Sequence, residues 1–267
     1  YDGDLSRRLQ EAIATYPDTA ARFQGGVVLL KPNLVEVHPG RPINTDARVV
    51  AAAVEAFRRL GAREVVVAEG PGHHRDTEGL VEWAGLGPLL RDTGARFVDL
   101  NIAPTVNVDL PDNFSGLGAL RLPGLLRDVD LVVSMPKLKT HHWVGVTLSM
   151  KNLFGVVPGA VYGWPKNPLH HSGIHECVID LWRALRPGFA IVDGVVGMEG
   201  DGPIMGAEVA SGVIVLGDQL PAVDATAARL MGVQPGRIGY LQVAARLGGT
   251  VSGLRVDVDG EPVAPTP

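Results

Sequence analysis

Five lysines occur in this chain of 267 residues, against 19 arginines. Arginine is therefore the ordinary surface cation, and each lysine marks a position where a compact ammonium with a movable pKa has been kept. Three of the five fall in one stretch, Met135-Pro-Lys-Leu-Lys-Thr-His-His-Trp-Val-Gly-Val-Thr-Leu-Ser-Met-Lys-Asn-Leu-Phe-Gly, ending at Gly155. Lys137, Lys139 and His141 are spaced i, i+2, i+4, so in an extended segment they share one face. Three nitrogen groups so placed attract an anion and depress one another's pKa. A lysine perturbed in this way can act as a general base or a nucleophile. Lys151 and Asn152 follow in a turn or short helix among Leu148, Met150, Leu153 and Phe154, a largely buried setting for a cation.

Lys31-Pro-Asn closes the first apolar run, where Lys31 and Asn33 can hold a carboxylate or phosphate. The eight histidines include three adjacent pairs, His73-His74, His141-His142 and His170-His171. His171 is the candidate acid–base residue or ligand of its pair, His175 can share a helix face with it, and His38 reads as surface. Asp193, Glu199 and Asp201 form an acidic set in turn-forming sequence. They can hold Mg²⁺ or another divalent metal through one or two contacts, or orient Lys137 or His141 by ion pairing. Asp224 reads as a helix cap or as a residue near a helix start. No H-E-x-x-H, Walker P-loop, G-x-S-x-G or convincing G-x-G-x-x-G is present, which argues against an ordinary serine hydrolase.

These residues need rigid supports, and the pattern supplies them. Four apolar runs, Gly26–Leu30, Glu64–Ala68, Val129–Ser134 and Phe189–Val192, each lead into a polar loop rich in Gly and Pro. Continuous apolar strands indicate burial on both faces and hence a parallel sheet. Further strands are read at Arg96–Leu100, Val106–Leu110, Gly212–Leu216 and Leu254–Val258. Helices are read at Ala47–Leu60, capped by Thr45 or Asp46 and stopped by Gly61, and at Gly173–Leu185, Pro221–Met231 and Gly236–Leu247. The expectation is an α/β fold with a mostly parallel sheet flanked by helices, in two closely packed subdomains, 1–105 and 106–267, with a cleft between them. Asn101–Leu120 is expected to cross between the subdomains, and Glu261–Pro267 to fray. In open α/β sheets ligands bind beyond the carboxyl ends of the strands, where these loops lie.

Hydrophobic content of 46% is ample for a core, and no repeat or low-complexity tract is visible. The net charge of −5 and the absence of a basic stripe argue against nucleic acid as a partner. A single cysteine, Cys177, excludes an intrachain disulfide framework and a cysteine-ligated iron–sulfur cluster within this chain; it reads as a buried helix residue. No apolar run reaches the ~18–20 residues of a membrane span. No secretory leader is read, and the chain opens at Tyr1, which leaves room for native residues before it. A cytoplasmic location is the expectation; the oligomeric state is not legible.

Lys31-Pro-Asn-Leu, Pro136-Lys-Leu-Lys-Thr-His, Thr147-Leu-Ser-Met-Lys-Asn-Leu-Phe-Gly, Met198-Glu-Gly-Asp-Gly-Pro and Pro221-Ala-Val-Asp-Ala resemble the hallmarks of domain-of-unknown-function family 362. The resemblance runs from about residue 26 to 247. Many members of that family carry ferredoxin-like cysteine motifs, from which this chain departs. A fainter similarity is to the catalytic domain of nickel-pincer lactate racemases, in which a histidine, a lysine and a second histidine follow in order. His141, Lys151, Pro158-Gly159 and His170 or His171 stand in that order here. The resemblance implies a shared fold, cofactor tethering at the lysine and histidines that ligate nickel or move protons. This chain has Leu148-Ser-Met where that family has Ser-Gly-Gly.

Taken together, the residues point to an enzyme acting on a small anionic metabolite bearing carboxylate or phosphate. Isomerisation, racemisation, elimination or cyclisation by proton transfer would suit them. Lys31, Asn33, Lys137 and Asn152 would bind the substrate. Lys139 or His141 would exchange a proton, with His171 as a further acid–base group, and Lys151 would stabilise oxyanion charge. Two alternatives remain open: a Mg²⁺-dependent enzyme on a diphosphate, with Asp193, Glu199 and Asp201 at the metal, and a non-enzymatic carrier of a cofactor or metabolite.

Overall fold

The computed structural model of this protein describes residues 4–72, 76–254, 256, 257 and 259. Its strands are β1 (Val27–Pro32), β2 (Glu64–Glu69), β3 (Arg96–Asp99), β4 (Thr105–Asp109), β5 (Ala119–Pro123), β6 (Leu131–Met135), β7 (Lys137–His141), β8 (Gly145–Thr147), β9 (Phe189–Glu199), β10 (Ala207–Val209) and β11 (Val213–Gly217). Among the described residues, nine of them form one sheet in the order β3-β2-β1-β6-β9-β7-β8, with β10 and β11 also paired to β9. The pairings among β3, β2, β1, β6 and β9, and that of β7 with β9, are parallel; β8, β10 and β11 join antiparallel. The fold is thus α/β with a mixed sheet.

The apolar runs form central strands because both sheet faces are covered. All six residues of β1 are buried. Successive side chains alternate between two cores. Val28, Leu30, Leu131, Val133, Phe189 and Ile191 join one, with Val49, Val50, Val54 and Phe57 of the helix Ala47–Arg59. Leu29, Val132, Ala190 and Val192 join the other, with Val178 and Leu181 of Ile174–Leu185 and Ala227 of Leu220–Leu230. Asp46 starts Ala47–Arg59 by accepting from the Arg48 N–H, and Gly61 at φ +102° ends that run. Residues 1–105 and 106–267, expected as two subdomains, contribute to this one sheet, where β1 hydrogen-bonds to β6.

Two differences from the sequence reading shape the site. The polar segment after β6 is itself a strand: Lys137–His141 enters the sheet on the far side of β9. And β9 runs on through Asp193-Gly to Glu199 instead of stopping at Val192, because β7, β10 and β11 give its backbone partners. Asp193 therefore lies inside a strand, not in a turn. Within Asn101–Leu120, expected as a crossover, β4 pairs with β5 in a separate hairpin. The buried Asp180 carboxylate holds that hairpin's loop through the N–H groups of Phe114 and Ser115, both at 2.9 Å. Cys177 is buried on its helix, where burial pushes the thiol up to about 12. No helix among the described residues is long and apolar enough to cross a membrane. His73-His74 and Glu261–Pro267 lie outside the described residues, and Leu254–Val258 lies partly outside them.

Candidate functional site

All five lysines run inward. Lys31 and Lys139 are 0% exposed, Lys137 and Lys166 2%, and Lys151 is half-buried. Two meet carboxylates. Lys31 Nζ lies 2.5 Å from Glu69 Oε2, both at the ends of adjacent parallel strands. Lys137 Nζ lies 2.7 Å from Asp193 Oδ2, its register partner across β7 and β9. The other three meet none among the described residues. Lys139 Nζ donates to Ile43 O (2.7 Å) and Pro203 O (3.2 Å), and Lys166 Nζ to Gly70 O (2.7 Å) and Phe154 O (3.3 Å). Lys151 Nζ sits 4.3 Å from the centre of the Phe154 ring and makes no hydrogen bond or ion pair among the described residues.

Burial without a counter-charge lowers these pKa values, because desolvation disfavours the ammonium. Lys139 falls well below the ordinary lysine range through burial, helped by Lys151 and Lys137. Lys166 falls to about 7 through burial, against the pull of Glu69 and with the push of Lys31 and Lys151. Lys151 falls to about 8 through burial and the charge of Lys31. Lys151 bears on Lys139 and Lys166, and Lys31 on Lys151 and Lys166, so residues 120 positions apart in sequence share one electrostatic site.

Short supports fix the geometry. Asn152 binds both edges of the site. Its Nδ2 donates to Lys31 O (3.0 Å) and Ser134 Oγ (3.1 Å), while its Oδ1 accepts from Lys31 Nζ (3.0 Å) and Asn33 Nδ2 (3.3 Å). Asp224, inside Leu220–Leu230, caps a different helix, the short turn Ser149–Asn152 that carries Lys151. It accepts from Ser149 N (2.7 Å), Met150 N (3.0 Å) and Ser149 Oγ (2.5 Å). Gly155 passes so close to Glu69 and Lys31 that a Cβ there would overlap both end groups. At this site Asn33 Oδ1 and the Oγ1 of Thr147, the register partner of Lys139 across β7 and β8, are buried with no hydrogen-bond partner among the described residues.

Aromatic rings gather beside this cluster. His141 is buried, and its Nδ1 accepts from Trp143 N (3.2 Å), which places the proton of the neutral ring on Nε2. Burial first, then the charges of Lys151, His142 and Lys139, hold it down to about 2. It is therefore an uncharged imidazole at any ordinary pH. Of the next pair, His171 is exposed. His170 turns inward instead, its ring 5.7 Å from Phe154 and 5.0 Å from Trp143. His175 lies on the following helix and accepts from Tyr240 N (3.2 Å), so it serves helix packing.

The acidic set does not assemble. Asp193 is buried against Lys137 and also accepts from Asp46 N (2.8 Å), whereas Glu199, the last residue of β9, and Asp201 just after it are exposed. Among the described residues no three His, Cys, Asp or Glu side chains are arranged to hold a metal ion. A cleft of about 640 Å³ opens beside residues 36–48; of the five lysines it reaches Lys137 alone.

The model of the family described as Domain of unknown function (DUF362) matches residues 28–229. This chain belongs to the DUF362 family. A thylakoid-associated protein of Synechocystis is 29% identical over 227 residues, which cover 84% of this chain and 68% of that protein. Among solved structures, the lactate racemase apoprotein from Thermoanaerobacterium thermosaccharolyticum gives a TM-score of 0.46 at 14% identity, covering 72% of this chain and 48% of that one. A protein from Thermotoga maritima gives 0.41 at 11%, covering 92% and 60%. The DUF362 chain thus spans about half the length of that racemase.

Two residues of this DUF362 protein, Lys166 and Glu69, went unread in its sequence, and His170 entered only as the alternative to His171. Lys166 carried the same signal as the others, scarcity, but stood outside their motifs. Glu69 closes an apolar run as Lys31 does, which makes it the natural counter-charge. His170 was separable from His171 only by knowing which way the short helix Asn167–His171 faces.

Proposed function

We propose that this protein is an enzyme that binds a small anionic metabolite at the lysine cluster and moves a proton on it. One observation carries the reading. Lys151 is an inward-facing ammonium that meets a ring face but no acceptor among the described residues. Among the described residues three amines lack carboxylate partners, and a carboxylate or phosphate entering beside Lys151 would offset the cost of burying them. Asn33 Oδ1 is held in orientation by the bond from Nδ2 to Asn152, and offers an acceptor to a hydroxyl or amine of the same guest.

In this reading Lys151 binds the guest and stabilises oxyanion charge as it develops. Lys139, its amine held toward the neutral form by burial and by the charges of Lys151 and Lys137, takes the proton, and the Nε2–H of neutral His141 donates to the oxygen. Lys31 and Lys137, each tied to a carboxylate, shape the site and set its field, while Asn152 and Asn33 orient the guest. A histidine-ligated nickel centre is not part of this reading, since no third donor side chain joins His141 and His170 in a ligating arrangement among the described residues.

The test is hydrogen exchange from D₂O into a panel of small carboxylic acids and phosphate esters, followed by mass spectrometry. The wild-type protein should label at least one compound next to its acid group, and Lys151→Met should label none while keeping its fold. Equal labelling by Lys151→Met would refute the assignment of Lys151. A panel untouched by the wild type, yet bound by it, would favour the carrier reading over the enzyme.

A further inference from the structure

Lys166 stands outside every motif singled out in the sequence, yet its side chain ends among them. It is buried and adopts left-handed backbone, φ 69° and ψ 47°, just before Asn167–His171. Glycine or asparagine is the ordinary occupant of that region, because a Cβ there crowds the neighbouring carbonyl. The lysine is thus kept against its backbone preference, which points to the side chain. Its ammonium reaches two carbonyls on two different loops. Gly70 O directly follows Glu69, the partner of Lys31, and Phe154 O belongs to the residue whose ring faces Lys151. The two loops touch, since a Cβ on Gly70 would lie 2.6 Å from Gly155 O.

We infer that Lys166 is a positioning residue of the anion site: its ammonium ties the loop after β2 to the loop after the Lys151 turn. It thereby holds Glu69 against Lys31 and the Phe154 ring beneath Lys151. The inference rests on the anion-site reading above, because positioning matters only if Lys151 receives a guest.

Sulfate, which keeps its charge across the useful pH range, is the probe, titrated calorimetrically into the full chain from about pH 6 to about pH 9.5. Lys166→Gly removes the ammonium and relaxes the backbone, so weaker binding cannot be ascribed to new strain. Sulfate should bind about tenfold more weakly or worse, the scale of one charge-assisted contact misplaced. The alkaline limb, where Lys151 loses its proton, should move to lower pH, because the Phe154 ring is no longer held against that ammonium, which a merely structural role would not cause. An affinity within about twofold of wild type with an unmoved limb overturns the inference. Lys151→Met separates the two readings. If it binds sulfate as the wild type does, or the wild type binds none, the anion site itself fails. If it loses sulfate while Lys166→Gly keeps it, only the role of Lys166 fails. Should Lys166→Gly not fold, Lys166→Asn, which also tolerates positive φ, is read in the same way. Failure of both to fold makes Lys166 a residue of general stability and overturns the inference.

Discussion

Lys151→Met distinguishes an ammonium kept for function from one kept for structure, because the two give opposite signs of stability change. Burial and the charge of Lys31 lower the Lys151 pKa from 10.5 to about 8. At 1.36 kcal/mol per tenfold, that displacement corresponds to roughly 3 kcal/mol of unfavourable burial. The side chain is half-buried, so water screens part of it, and about 1–2 kcal/mol is the useful expectation. The penalty is complete below pH 8, where both folded and unfolded chains carry the ammonium. Between about pH 8 and 10.5 the unfolded chain binds more protons, stability rises with pH, and the penalty fades. Methionine fills similar space and sets its sulfur against Phe154. The variant should therefore gain about 1–2 kcal/mol at pH 7, or about 2–4 °C in Tm for a chain of this length. The gain should vanish near pH 10. Sulfate affinity should fall by about 10–150-fold, the worth of one charge-assisted hydrogen bond. Calorimetric melts at three pH values and a sulfate titration suffice. A variant less stable at pH 7, with unchanged sulfate affinity, would refute the reasoning.

The wild-type urea midpoint should rise between about pH 7 and about pH 10 in anion-free buffer, because Lys166 and Lys151 bind fewer protons folded than unfolded across that window; a flat or falling curve contradicts the unpaired-amine picture. Glu69→Ala strands the Lys31 ammonium in a dry site and should cost about 3–5 kcal/mol by urea unfolding. The double variant Glu69→Leu with Lys31→Met should recover most of it, and failure to do so would mean the pair is not what matters. Gly155→Ala forces a methyl into the Glu69 and Lys31 end groups and should cost about 1–3 kcal/mol, whereas a neutral outcome would show that this close approach is not obligatory.

The sequence by itself made the main strands and four of the five buried lysines legible. Short apolar, β-branched runs that end in Gly/Pro-rich loops favour strands covered on both faces, so β1, β2, β6 and the start of β9 were legible from the local pattern. Scarcity of lysine against arginine marked Lys31, Lys137, Lys139 and Lys151, since an ammonium was retained where a guanidinium is the local habit. Cys177 read as buried because its helix face is apolar. Tertiary structure decided the rest. Whether Pro136–His141 is loop or strand depends on a free edge of β9, which no local pattern encodes. Asp193 read as a turn residue because Asp-Gly is a turn signal, yet β9 found partners on both sides and carried it into the sheet opposite Lys137. Asp224 could be read as a cap from its own helix. That it caps another one, the Ser149–Asn152 turn, is a contact across 75 residues. The choice between His170 and His171 likewise depended on which way a five-residue helix packs. Local sequence fixes backbone preference and side-chain chemistry. Which charges face one another depends on chain segments that meet only after the sheet has formed, and there the energy of burying five amines beside two carboxylates is set.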